Sequence, residues 1–327
     1  MSDRNTCLVT GGAGFVGSYL CEALLQAKYQ VFAVDNFITG RRENLVESLK
    51  NPLFSLIQHD VIEPFNKLTP LRQGFAGQAY IFHLASPASV VDYKKNPEET
   101  ALVNSVGTRN LLLLARQTGA KFLFASTSEV YGDPKEHPQK ETYWGNVNPV
   151  GQRACYDESK RFGEMITMLY QRRDSIDTRI IRIFNTYGPR MRPDDGRVIS
   201  NLVGQAIRGE PMTVYGTGDQ TRSFCYVSDM VEGIMLAMFT NGTNGEVVNL
   251  GNPEEYRMID LANKIKEMTG TSSDIVYKDL PPDDPEVRQP DITKAKKLFG
   301  WEPKVSVTEG LQKTISYYRT LMGQNKG

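Results

Sequence analysis

The chain opens with a short apolar run, Thr6–Thr10, and then a stretch, Phe15–Ala27, in which apolar residues return every three or four positions. That change of period predicts a strand leading into a helix. The same alternation recurs. Gln30–Val34, Leu53–Gln58, Tyr80–Leu84, Lys121–Ala125 and Thr178–Phe184 read as strands, and Pro97–Thr118 and Arg153–Arg172 as helices. Runs such as Phe122-Leu-Phe-Ala125 and Tyr80-Ile-Phe82 are continuously apolar, as expected of parallel strands covered on both faces. Repeated β–α alternation predicts an α/β protein with a Rossmann-type doubly wound parallel sheet. After about Pro189 turn signals crowd in, among them Pro193-Asp-Asp-Gly196, Gly216-Thr-Gly218 and Asn241-Gly242. We therefore expect residues 1–188 to form the sheet domain. Residues 189–327 should form a smaller mixed C-terminal lobe, with some strands or helices crossing back.

The first strand runs into Thr10-Gly-Gly-Ala-Gly-Phe-Val-Gly17 and then the first helix. Glycines at that junction allow a tight turn and a close backbone approach to a pyrophosphate, which the free N–H groups of the helix N-terminus attract. The second strand ends in Val34-Asp35, 18 residues after Gly17. A carboxylate there hydrogen-bonds ribose hydroxyls and repels a 2′-phosphate, which favours NAD over NADP; Arg41 and Arg42 are the opposing signal. The third strand ends in His59-Asp60-Val61, where Asp60 is placed to meet an adenine edge. The fourth ends in the small residues Leu84-Ala-Ser-Pro-Ala88. The 1–188 unit is thus an NAD-binding domain and the second lobe the substrate-binding part.

Composition narrows the chemistry. With 38 basic and 38 acidic residues in 327, no global field draws the protein to nucleic acid or an anionic membrane. The four cysteines form no CxxC pair and the three histidines are scattered, so neither a metal site nor a disulfide framework is expected. The N-terminus enters a strand pattern at once and no apolar run approaches 18 residues, so a cytoplasmic protein with no membrane span is expected. Chemistry then falls to Tyr156-Asp-Glu-Ser-Lys160, where helical spacing puts tyrosine and lysine on one face. An ammonium about 4 Å from the phenol, at an effective dielectric near 20, is worth roughly 4 kcal/mol, or about three pKa units. That would bring the phenol near 7, in the range of a general base. Thr127, at the end of the fifth strand, is placed to share the substrate proton.

The chain resembles the extended short-chain dehydrogenase/reductases acting on nucleotide sugars, and among them most closely the UDP-glucuronate decarboxylase (UDP-xylose synthase) branch. The resemblance covers nearly the whole length. It rests on His83-Leu-Ala-Ser-Pro-Ala-Ser89, Ser126-Thr-Ser-Glu-Val-Tyr-Gly-Asp-Pro134, Tyr143-Trp-Gly-Asn-Val-Asn-Pro149, Cys155-Tyr-Asp-Glu158, Arg182-Ile-Phe-Asn-Thr-Tyr-Gly-Pro-Arg-Met191, Gln220-Thr-Arg-Ser-Phe224 and Asp283-Asp-Pro-Glu-Val-Arg-Gln-Pro-Asp291. Val90-Val91 departs from the branch, which usually carries proline there.

The resemblance implies NAD-dependent oxidation at C4 of UDP-glucuronate, loss of CO2 from the resulting β-keto acid, and re-reduction at C4. It implies Tyr156, Lys160, Thr127, Glu129 and Arg288 as catalytic residues, Glu129 acting at the sugar's C5/C6 region and Arg288 on the carboxylate or diphosphate. A loop arginine pairing with Asp283 or Asp284 is the plainer reading of Arg288. The expected cofactor contacts are Gly11, Gly14, Phe15, Val16, Gly17, Asp35, Asn36, Asp60, Val61, Leu84, Ala85, Ser86, Ala125, Tyr156, Lys160 and Thr186. Tyr93, Lys94, Glu129, Asn185, Arg197, Arg222 and Arg288 are expected to contact the UDP-sugar, with Arg190 and Arg192 as further phosphate candidates and Trp144 over the sugar. A homodimer through Pro97–Thr118 and Arg153–Arg172 is expected.

Two other classes fit parts of the pattern. A 4-epimerase has no need of Glu129. A 4,6-dehydratase would be expected to carry Asp-Glu after the threonine, whereas this chain has Thr127-Ser128-Glu129. A non-catalytic NAD sensor has no reason to keep Thr127, Tyr156 and Lys160 together.

Overall fold

A computed structural model describes residues 5–65, 77–280 and 287–324. Its centre is a seven-stranded sheet in which every neighbouring pair is parallel. The strands are β1 (Thr6–Thr10), β2 (Gln30–Asp35), β3 (Phe54–Gln58), β4 (Ala79–His83), β5 (Lys121–Thr127), β6 (Thr178–Ile183) and a last strand, Glu246–Leu250. Their spatial order is β3-β2-β1-β4-β5-β6 and then the last strand. The order reverses between β1 and β4. In open α/β sheets that is where the crevice beyond the carboxyl ends of the strands takes a ligand.

The continuous apolar runs have the cause expected. Along β1 the side chains alternate between two cores: Cys7 and Val9 join Val31, Ala33, Phe82 and Leu123 on one face, and Leu8 joins Phe32, Val34, Ile81 and Phe122 on the other. The first face is covered by α1 (Phe15–Gln26). The second is covered by the helical stretch ending in Thr108–Thr118 and by the helix Ala154–Asp174. Each fully buried large apolar side chain contributes roughly 1.5–3 kcal/mol, so both faces are strong determinants.

The expected strands and helices form, with ends shifted by one or two residues. The stretch expected as one helix, Pro97–Thr118, does not run unbroken. It is α-helical over Pro97–Leu102, makes a π-turn over Val103–Gly107 and resumes at Thr108–Thr118. There the Asn104 amide donates to Thr100 O at 3.0 Å, Ser86 Oγ at 3.1 Å and Ser159 Oγ at 3.1 Å. Inserted residues of this kind commonly mark functional positions in helices.

Beyond residue 189 the structure is mixed: Met212–Tyr215 pairs parallel with Ile275–Lys278, and Thr221–Ser223 antiparallel with Glu255–Arg257. Two elements return to the first sheet. Glu246–Leu250 pairs with Thr178–Ile183 as its edge strand, and Val227–Phe239 packs on α1.

Candidate active site

One cleft of about 570 Å³ runs across the carboxyl ends of the central strands and into the second lobe. Its floor at one end is the glycine loop. Gly11 has φ +71°. A Cβ there would lie 2.8 Å from Ala85 N, and one on Gly17 would lie 2.1 Å from Gly11 O. Only hydrogen fits at either place, so the loop stays flush and the start of α1 faces the cleft. Asp35, at the end of β2, accepts Ala13 N–H at 2.9 Å and Phe37 N–H at 2.8 Å. Burial raises its carboxyl and these two bonds oppose the rise. Next to it the Asn36 amide donates to Asp60 Oδ2 at 2.9 Å, and Asp60 Oδ1 accepts Ile62 N–H at 3.0 Å. A dinucleotide fits this end. The glycine cradle takes a pyrophosphate, Asp35 takes a ribose diol, and Asp60 stands one strand further out for the base.

The other end holds Thr127, Tyr156 and Lys160. Lys160 Nζ donates to Ala125 O at 2.9 Å and lies 5.7 Å from the centre of the Tyr156 ring. The Thr127 hydroxyl faces the Tyr156 phenol and pulls its pKa down against burial. The simple Coulomb expectation of a phenol near 7 does not hold. Burial pushes Tyr156 up to about 12 against the pull of Thr127 and Arg197, and burial brings Lys160 down to about 7. Desolvation penalises both charges and outweighs their attraction. The group shifted toward neutrality is therefore the lysine.

Beside Tyr156, Glu129 is gripped from two sides, one carboxylate oxygen by Arg153 and the other by Arg288. Burial works to raise Glu129, but Arg288 and then Arg153 outweigh it and hold the carboxyl down to about 2. Arg153 also faces Asp157, Nε to Oδ2 at 3.9 Å. Burial and the Glu129 charge push Asp157 up to about 7. Asp283 and Asp284, the other partners considered for Arg288, lie outside the described residues. Arg153 is the member of this group that the sequence did not reveal. It precedes the helix, and only its place three residues before Tyr156 hinted at a shared face.

Of the residues expected to bind cofactor, substrate or reacting groups, all but two line the cleft. Lys94 does not: it is exposed and reaches Gln152 Oε1 at 3.4 Å. Trp144 is 87% exposed and also stands apart. Arg190 lines the cleft, but its guanidinium is committed to Glu22 at 2.6 Å and to the Tyr19 ring. Arg192 is paired with Asp92. Among the described residues no group of three or more His, Cys, Asp and Glu is placed to hold a metal ion, and no helix is long and apolar enough to cross a membrane.

A seven-stranded parallel sheet, a glycine-lined dinucleotide cleft and a Tyr–Lys–Thr cluster define an NAD-dependent short-chain dehydrogenase/reductase of the nucleotide-sugar type. The family model described as GDP-mannose 4,6 dehydratase matches residues 8–314. UDP-glucuronic acid decarboxylase 1 of Arabidopsis thaliana is 54% identical over 99% of this chain and 72% of its own length. UDP-glucuronic acid decarboxylase 1 of Xenopus tropicalis is 50% identical over 97% of this chain and 73% of its own. Among solved structures, UDP-glucuronic acid 4-epimerase from Bacillus cereus, in complex with UDP-glucuronic acid and NAD, is similar with TM-score 0.85, 31% identity and coverage of 97% and 99%. UDP-glucose 4-epimerase from Thermotoga maritima, with UDP-glucose, gives 0.87, 33%, 98% and 100%. The chain belongs to the GDP-mannose 4,6 dehydratase family and, within it, to the UDP-glucuronic acid decarboxylases.

Proposed function

We propose that the protein converts UDP-glucuronate to UDP-xylose and CO2 by oxidation, decarboxylation and re-reduction within one cleft. The observation that carries this reading is the Arg288–Glu129–Arg153 cluster beside the Tyr156 phenol. A neutral sugar needs no such group, whereas a C6 carboxylate can take a guanidinium from Glu129. Bidentate guanidinium–carboxylate recognition is among the strongest available to a side chain.

NAD, held by the glycine cradle and Asp35, would supply hydride exchange at the sugar's C4. The protein residues handle the protons. Tyr156 with Lys160 accepts the C4 hydroxyl proton, and Thr127 holds the phenol in place. The pair takes up that proton as a unit: whichever of the two carries the first proton, the second makes it a phenol beside an ammonium. The resulting 4-keto sugar has its carboxylate β to the ketone, so CO2 leaves as electron density moves onto the C4 oxygen. Tyr156, now protonated, donates to that oxygen. Arg288 and Arg153 hold the carboxylate and Glu129 apart until the C–C bond breaks. Glu129, kept ionised, orients a water that gives its proton to C5, and the hydroxide left takes a proton from solvent. Asn185 and Arg222 are assigned to the UDP, Arg197 to the phosphates or the Tyr156 end.

Incubation with UDP-glucuronate and no added reductant, followed by mass spectrometry, tests the reading. UDP-xylose and CO2 support it; UDP-galacturonate without CO2 would make the protein an epimerase. We also infer a homodimer. Phe162, Met165 and Leu169 recur along Ala154–Asp174 and are 42%, 51% and 44% exposed, and Val106 stands exposed in the preceding helical stretch. Such a stripe suits a second copy of the same helices. Cytoplasmic placement belongs to the same proposal and is checked by cell fractionation.

A further inference from the structure

Two segments lining the cleft, far apart in sequence, meet at an ion pair. One is the start of the short helix Val90–Lys95 after β4, with its N-cap Ser89; the other is the loop Met191–Arg197. Their contact is an ion pair, Arg192 Nη2 to Asp92 Oδ1 at 2.7 Å, with apolar backing. Gly196, at φ +87°, leaves no room for a side chain, because a Cβ there would lie 2.5 Å from Val91 Cγ2.

Each side of the pair is itself held. The buried Tyr318 hydroxyl donates to Met191 O at 2.9 Å and lies 3.4 Å from Arg192 O. Across the gap, Ser89 Oγ donates to Asp92 Oδ2 at 2.8 Å and accepts Asp92 N–H at 3.1 Å. Asp92 is 8% exposed, so its carboxylate is anchored by one hydroxyl and one guanidinium. The next residue is Tyr93. Its N–H donates to Ser89 O at 2.9 Å, and its carbonyl accepts the Cys155 thiol at 3.8 Å. Its ring lies flat on the Tyr156 ring, centroids 5.2 Å apart and planes 8° apart. A continuous path of contacts thus runs from the second lobe through Arg192, Asp92 and Tyr93 to the phenol that moves the proton.

We propose that Arg192 is a positioning residue. Through its ion pair with Asp92 it holds Tyr93 stacked on Tyr156 and so fixes the phenol toward the sugar. The inference rests on the catalytic reading of Tyr156. It assigns Arg192 to protein geometry and not to a phosphate, although an arginine in a nucleotide cleft invites the second assignment.

The test is a double-mutant cycle of Arg192→Met and Asp92→Asn, with Arg192→Lys as the conservative variant. Turnover, KM for the sugar nucleotide and Kd for NAD are measured for each. Either single variant should lower kcat on the order of ten- to a hundredfold, the scale of a small misplacement of reacting groups. KM and the NAD Kd should stay within about twofold, and the double variant should be no worse than the poorer single one. Arg192→Lys, which keeps a cation facing Asp92, should recover most of kcat. Retained NAD binding shows that the variants fold. If Arg192→Met weakens NAD tenfold while Asp92→Asn turns over normally, the arginine is a cofactor ligand and the proposal fails. It fails equally if the two losses multiply, or if neither variant changes kcat. The parent chain is assayed first on UDP-glucuronate. An inactive parent counts against the decarboxylase reading alone, and the cycle is then run with the UDP-sugar the parent oxidises.

Discussion

At the scale of single residues, desolvation prevails at Tyr156 and Lys160, whereas at Glu129 the arginines prevail over burial. With the phenol at about 12 and the lysine at about 7, the pair loses its capacity to accept a proton as pH falls through about 7. We expect kcat/KM to drop tenfold per pH unit below that point, a limb that Lys160→Met should abolish together with most of the rate. Tyr156→Phe should cost about a thousandfold or more in CO2 release, in line with acid–base contributions of order 10²–10⁴. Asp157 gives a stability prediction. Its unfolded carboxyl ionises near 3.8 and its buried one near 7, so the native state loses stability as pH rises through that window. Asp157→Asn should raise Tm relative to the parent by about 2–4 °C per kcal/mol relieved at pH 8, and the gain should vanish at pH 4 in a calorimetric scan. That Tyr156, Lys160 and Thr127 share one cleft was legible from spacing and neighbouring motifs, and Glu129 came in through the family resemblance. Arg153 and the Asp92–Arg192 pair were not, because they depend on segments distant in sequence meeting in space.

At the scale of elements, close approach decides what the helices can carry. Gly163 faces Phe124, and a Cβ there would lie 2.2 Å from Cζ of the ring. The helix Ala154–Asp174 therefore rides low on β5 and brings Tyr156 and Lys160 to the strand's end. Gly163→Ala should destabilise by about 1–3 kcal/mol, the usual cost of overpacking, read as a lower urea midpoint at unchanged slope. The parallel strands were legible because two-sided burial leaves long apolar runs. The π-turn at Val103–Gly107 was not, since its pattern of apolar positions resembles that of an unbroken helix. The short strands after Thr178–Ile183 and outside the large sheet, two to four residues each, are too brief to leave a period.

At the scale of the whole molecule, the exposed stripe of Phe162, Met165 and Leu169 predicts association. Met165→Glu should shift the protein from dimer to monomer in sedimentation at micromolar concentration while leaving its secondary structure intact. The order of strands carries a further consequence for synthesis. The edge of β6 is completed only by Glu246–Leu250, so a nascent chain that has released its first half presents an open hydrogen-bonding ridge. At translation rates of about 5–20 residues per second, that ridge stays bare for several seconds. Stalling within the intervening stretch should therefore favour aggregation of newly made chains, and an added peptide spanning Glu246–Leu250 should suppress it.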